Sequence, residues 1–214
     1  MIRKYISELL ATFALVFCGT GAVVINEITN GVISHVGIAI CFGLIVMIMI
    51  NAVGHISGAH INPAVTLAFA INKKFPWALV PGYFISQVVG AFAASYLLQY
   101  LFPGSLFLGA TLPSGDARQS FILEVMLAFF LMLIILQVSS GSKEKGMMAG
   151  ITIGSVVLLE AMFAGPISGA SMNPARSLAP AIASGQLQHL WIYLTAPFIG
   201  MIIAIPFHNI LKIK

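Results

Sequence analysis

The chain has 214 residues, of which 59% are apolar and only 7% charged, and it carries a formal net charge of +4. A water-soluble domain has about 25% charged residues, so a water-facing globular surface is excluded and lipid is the expected solvent. The length suits one compact membrane unit, residues 1–214 forming a single all-α domain with no soluble module attached.

A membrane-crossing helix needs about 20 predominantly apolar residues. Six segments meet that requirement, near Ile6–Ile25, Val36–Val53, Trp77–Leu101, Phe121–Val138, Met147–Ala164 and Leu190–Ile210. Arg3 and Lys4 precede the first, as in a secretory signal. Its apolar run continues to Ile25, however, and no small-residue cleavage site appears early, so the segment is predicted to be a retained span. Cys18 and Cys41 lie inside apolar runs and read as small buried hydrophobes without a disulfide. Polar stretches rich in Gly, Pro and Ser separate the spans, the longest being Phe102–Ser120.

An even number of spans places both termini on one side. Alternation gathers Arg3, Lys4, Lys73, Lys74, Lys143, Lys145, Lys212 and Lys214 there and leaves Arg118 and Arg176 opposite. The positive-inside rule assigns the Lys-rich side to the cytoplasm of a multi-pass cell-membrane protein. Trp77 beside the lysine pair and Trp191 beside His189 suit interfacial anchoring. The basic balance therefore reports topology, and a nucleic-acid partner is unnecessary.

An internal repeat organises the chain. Gly54-His-Ile-Ser-Gly-Ala-His-Ile-Asn-Pro-Ala-Val65 returns as Gly165-Pro-Ile-Ser-Gly-Ala-Ser-Met-Asn-Pro-Ala-Arg176, eight of twelve positions being identical at an offset of 111 residues. Glu8 stands five before Phe13 as Glu124 stands five before Phe129, and Tyr83, Gln87 and Gly90 share the spacing of Tyr193, Pro197 and Gly200. The halves, about 1–101 and 120–214, hold three spans each, so the second enters the membrane inverted.

Each motif is followed by an apolar stretch too short to cross, Ala64–Ile71 and Ala175–Ala183. Ten helical residues rise about 15 Å, half of a ~30 Å hydrocarbon core. Two inverted half-helices can thus meet near the midplane and act as a seventh, broken span. Asn is a favoured N-cap and Pro wastes no donor at the first helical position, so Asn62-Pro63-Ala64 and Asn173-Pro174-Ala175 should set both helix starts at the junction. The preceding Ser-Gly-Ala stretches are predicted to be extended. Irregular backbone survives at membrane depth only when buried in protein or lining water, which points to a pore. Two helix N-termini at one junction disfavour cations, and lumen-facing Asn amides would donate to a passing oxygen. Carbonyls of Gly58, Ala59 and His60, and of Gly169, Ala170 and Ser171, would accept on either side.

The paired SGAHINPAV and SGASMNPAR motifs resemble those of the aquaporin, or major intrinsic protein, family over essentially the whole chain. The stretches GATLPSG and FAGPISGASMNPARSLAPA are similar to the plant nodulin-like intrinsic proteins and their bacterial relatives. The resemblance implies six transmembrane helices plus two re-entrant half-helices in an inverted repeat, a homotetramer in the lipid bilayer, and passive passage of water and small uncharged solutes such as glycerol, urea or undissociated metalloid acids. It places a four-residue constriction on Phe42, Ala161, Ala170 and Arg176, where small Ala161 and Ala170 imply a wider opening than a water-only filter. It also implies that Glu8 and Glu124 accept hydrogen bonds from the loops before the half-helices. Ser177 and Ala181 look water-channel-like whereas Leu194 looks solute-channel-like. Arg176 has a reading of its own, because a cation just inside a helix N-terminus opposes the dipole and suits a role facing the lumen or a structural pairing with loop carbonyls.

Glu160 adjoins Ala161 and is left open between a subunit contact, a protonated carboxyl and a pH-dependent gate. His60 offers its carbonyl or a titrating ring to the lumen. His35, His189 and His208 lack metal spacing, Met147 and Met148 read as packing, and no catalytic constellation or cofactor motif is present. A secondary transporter is the chief alternative, because it too uses inverted repeats with broken helices.

Overall fold

The computed structural model describes residues 1–140 and 148–211, so Lys143, Lys145, Lys212, Lys214 and Met147 lie outside the described residues. In chain order the helices are α1 (Ile2–Ile28), α2 (Ser34–Ser57), α3 (Pro63–Ile71), α4 (Trp77–Leu101), α5 (Ala117–Val138), α6 (Ala149–Ser168), α7 (Pro174–Ser184) and α8 (Leu190–Leu211). All but α3 and α7 are long and apolar enough to cross a membrane. α1 runs past the predicted Ile6–Ile25 at both ends, because hydropathy marks only the part of a helix in lipid while its backbone hydrogen bonds continue outside. It also contains a π-helical turn, Val16–Thr20, that hydropathy does not announce.

The most extensive helix pairings are α5 with α8, α2 with α6, and α1 with α4. Exchanging the halves converts the α1–α4 pair into α5–α8 and the α1–α2 contact into α5–α6, so the packing repeats along with the sequence. Backbones meet closely at the crossings. A Cβ on Gly154 would fall 2.6 Å from the Gly43 carbonyl oxygen, and one on Gly43 would fall 2.7 Å from that of Gly154. The repeated Gly90 and Gly200 serve the equivalent crossings, where added Cβ atoms would strike the backbone of Leu9–Phe13 and of Val125–Phe129.

Polarity is distributed inside-out. Ile6, Leu44, Ile85, Ile122, Leu159 and Ile203 are exposed on the outside, whereas Glu8, Gln87, Glu124, Asn62, Asn173 and Arg176 are buried. Such a surface needs hydrocarbon around it. Trp77 and Trp191 are exposed near helix starts. The two cysteines are free, but they are not buried: Cys18 is exposed and Cys41 half-buried, so the apolar medium around Cys18 is the lipid side of the bundle and not its core. Met148 is likewise exposed at the start of α6.

Pro166 interrupts α6 internally. Lacking an N–H, it cannot satisfy the carbonyl four residues back, and the imidazole Nε2 of His35 on α2 supplies that bond, 2.7 Å from the Met162 oxygen. The accepting carbonyl fixes Nε2 as the protonated nitrogen. Replacing His35 with Ala should leave the Met162 carbonyl without a partner, costing about 1–3 kcal/mol. A lowered thermal midpoint in detergent would register it, and an unchanged midpoint would show that another group caps the carbonyl.

Candidate conduction site

The Asn-Pro steps begin both half-helices. Asn62 and Asn173 are extended N-caps, and their side-chain oxygens accept from Ala64 N at 2.9 Å and from Ala175 N at 3.1 Å. Pro63 and Pro174 occupy the first helical positions. The remaining polar half of each cap reaches across the junction. Asn62 Nδ2 donates to the Met172 carbonyl at 2.8 Å, and Asn173 Nδ2 donates to the Ile61 carbonyl at 2.9 Å. Each amide has a second N–H, and both Asn residues line the same cavity. Pro63, Ala64, Pro174 and Ala175 are buried behind that wall and do not line it.

The loops before the half-helices are not simply extended. Gly58, Ala59 and Ile61 have positive φ, and so do Gly169, Ala170 and Met172. These left-handed residues turn the N–H groups of His60 and Ile61, and those of Ser171 and Met172, to one side. A buried carboxylate receives them in each half. Glu8 accepts from His60 N at 2.9 Å, Ile61 N at 2.8 Å and Gln87 Nε2 at 2.8 Å. Glu124 accepts from Ser171 N at 2.8 Å, Met172 N at 2.9 Å and Ser168 Oγ at 2.7 Å. Tyr83 and Tyr193 pin the loop entrances, their hydroxyls donating to Ser57 O at 2.6 Å and Ser168 O at 2.7 Å.

The halves differ behind these contacts. In the first, Thr66 Oγ1 donates to Asn62 O at 3.1 Å and receives Gln87 Nε2 at 3.0 Å. With its single proton so committed, His60 Nδ1, 3.1 Å away, is the donor to Thr66. The imidazole packs against Phe69, Phe75 and Tyr83 at centroid distances of 4.8, 4.7 and 5.1 Å. In the second half Ser171 and Ser177 make the equivalent hydroxyl pair, and Thr111 Oγ1 reaches Ser177 Oγ at 2.7 Å.

Arg176 is buried and lines the cavity. Its Nη1 donates to the Gly109 carbonyl at 2.8 Å, and its Cζ stands 5.0 Å from the Phe42 ring centroid. Gly109 and Thr111 belong to the 102–116 loop, and Glu27 anchors that loop through Ser105 Oγ at 2.6 Å and Leu106 N at 2.9 Å. Nothing in the sequence spacing marks Gly109, Thr111 or Glu27 as site residues. The positive φ of Leu108 and Gly109 that aims the carbonyl is visible only in three dimensions.

The cavity has a volume of about 140 Å³. Phe42, Ala161, Ala170 and Arg176 all line it, together with Gly58, Ala59, His60 and Ser171. Gly169 does not. It closes α6 with its N–H on the Gly165 carbonyl, and a Cβ there would meet Thr111. Apolar side chains from the spanning helices, among them Val46, Leu131, Ile135, Ile153 and Val157, complete the wall. Glu160 is buried within the subunit and does not line the cavity, which removes the subunit-contact reading. Among the described residues no group of three or more His, Cys, Asp or Glu side chains could hold a metal ion.

Among the described residues, six helices long and apolar enough to cross a membrane and two inverted half-helices that meet at capped tips beside a shared cavity define a polytopic membrane protein. The sequence profile of the major intrinsic protein family matches residues 1–208. The chain is 47% identical over 213 residues to aquaporin NIP1-1 of Oryza sativa subsp. japonica, covering 99% of this chain and 75% of that protein. It is 43% identical over 213 residues to nodulin-26 of Glycine max, covering 99% and 78%. The X-ray structure of the aquaglyceroporin from Plasmodium falciparum superposes with a TM-score of 0.86 at 28% identity, over 97% of this chain and 95% of that one. The chain belongs to the major intrinsic protein family.

Glu124→Gln sets an amide NH2 where a carboxylate oxygen now faces a donor. A donor opposed by a donor at a buried site costs about 1–3 kcal/mol, so the variant should be less heat-stable and conduct less per folded molecule. Native stability and conduction in Glu124→Gln would show that the loop N–H groups do not depend on the carboxylate.

Proposed function

We propose that the protein is a passive channel through which water and small uncharged solutes such as glycerol cross a membrane while protons and ions are excluded. One observation carries the reading: Asn62 and Asn173 each spend one amide hydrogen on the opposite loop's carbonyl and keep the other for the cavity they share. An oxygen between them receives two donors, so a water there points its own hydrogens away and relays no proton. Both helix N-termini add positive potential at that point. Exclusion of protons and cations by half-helix dipoles and an Arg is the general mechanism of aquaporin-type pores; here it is applied to named residues.

Phe42, Ala161, Ala170 and Arg176 form the constriction. Arg176 offers donors to solute oxygens and repels cations, and Phe42 supplies an apolar face for a carbon skeleton. Ala161 and Ala170 leave the other walls short, so a three-carbon polyol fits where a larger side chain would admit only water. Carbonyls of Gly58, Ala59, His60 and Ser171 accept from the solute on either side of the Asn pair. His60, whose ring is already bonded to Thr66 and packed among aromatics, contributes through its carbonyl. The functional form is a homotetramer in the cell membrane with both termini in the cytoplasm, supported by the family relationship and by the bias of Lys and Arg along the chain.

Stopped-flow light scattering of proteoliposomes tests the reading with sucrose, glycerol, urea and boric acid as osmolytes. Vesicles should shrink in sucrose and then re-swell in glycerol, with no saturation and no dependence on an ion gradient. Saturable, gradient-driven uptake would indicate the transporter instead. Ala161→His should lower glycerol flux more than water flux; equal losses would contradict the size argument.

A further inference from the structure

We infer that the π-helical turn of α1 sets the bore of the constriction, with Gly19 as a specificity-determining position that fixes how far the Phe42 ring stands into the lumen. The inference rests on the channel reading above. π-turns inside α-helices are rare and concentrate at functional sites. This one spans Val16–Thr20 and presents Gly19 to α2.

The Phe42 ring lies directly against the Gly19 backbone. A Cβ built on Gly19 would sit 2.9 Å from Phe42 Cζ and closer still to Cδ1 and Cε1, nearer than real Cβ atoms approach. The guanidinium of Arg176 stands over the ring, 5.0 Å from its centroid. The ring is thus held between Gly19 and the cation, and at 9% exposure it has little room to turn. A methyl group at position 19 must drive it toward the cavity that Phe42 lines.

The next residue of the same turn backs the other wall. A Cβ on Gly109 would fall 3.1 Å from the Thr20 carbonyl oxygen, and Gly109 is the residue whose carbonyl holds Arg176. Neither Gly19 nor Thr20 lines the cavity. Both are therefore positioning residues that act through Phe42 and Arg176.

Gly19→Ala, Phe42→Leu and the double variant are compared with the native chain in proteoliposomes at matched protein density, reading glycerol and water permeability together. Gly19→Ala should lower the glycerol-to-water ratio by about tenfold, the discrimination one methylene produces in a fitted pocket. In the Phe42→Leu background the same substitution should leave the ratio unchanged. If Gly19→Ala fails to assemble while the double variant assembles, the same contact is registered through folding and the inference stands. Equal fractional losses of water and glycerol, an unaltered ratio, the same fall in both backgrounds, or failure of both variants to assemble would overturn it. Native vesicles closed to water and glycerol alike would sink the channel reading itself, whereas open native vesicles with an indifferent Gly19→Ala sink only this inference.

Discussion

Every backbone N–H and C=O at membrane depth needs a partner, and that requirement organises this molecule. The crossing helices meet it internally; the loops before α3 and α7 cannot. The solution is to bury one carboxylate behind each loop. Glu8 and Glu124 would each be costly in lipid, but three donors apiece surround them. The loop N–H groups are thereby satisfied within the protein, and Ala59 and His60 line the cavity.

The same two-fold plan then diverges, and the divergence gives the lumen distinct ends. Val65 in the first half becomes Arg176 in the second, and Gln87 becomes Pro197. The amide that Gln87 gives Glu8 has no counterpart at Pro197. The His60 imidazole, set among Phe69, Phe75 and Tyr83, corresponds to the compact Ser171 hydroxyl. The second half is thereby relieved of bulk near its loop, and the 102–116 segment enters to hold Arg176 through Gly109. Glu27 at the end of α1 and the Thr20 carbonyl behind Gly109 determine where that segment rests.

Features set by local chemistry were legible in the sequence. Asn-Pro at a helix start is a matter of capping and a missing donor, so Asn62 and Asn173 could be placed as N-caps from spacing alone. Family resemblance pointed Glu8 and Glu124 at the loops before the half-helices, whereas the repeated Tyr83 and Tyr193, and Gly90 and Gly200, announced shared contacts without saying which. What stayed hidden depends on register between distant segments. The Asn62–Met172 and Asn173–Ile61 bonds, the His35 cap on the carbonyl freed by Pro166, and the Gly109 clasp on Arg176 join residues far apart in the chain. Hydropathy also misled where lipid replaces core: Cys18 is apolar in context because it faces outward. The left-handed loop backbone escaped because Ala59, Ile61, Ala170 and Met172 are residue types that rarely adopt positive φ.

The two capped tips are proposed to hold a continuous wet path open, with one amide hydrogen of each Asn turned into it. An experimental structure at a resolution that shows ordered water tests this most directly. A single file of waters should run through the cavity, one of them within about 3 Å of both Asn62 Nδ2 and Asn173 Nδ2. A dry break in the file at that level, or amides turned away from it, would contradict the account.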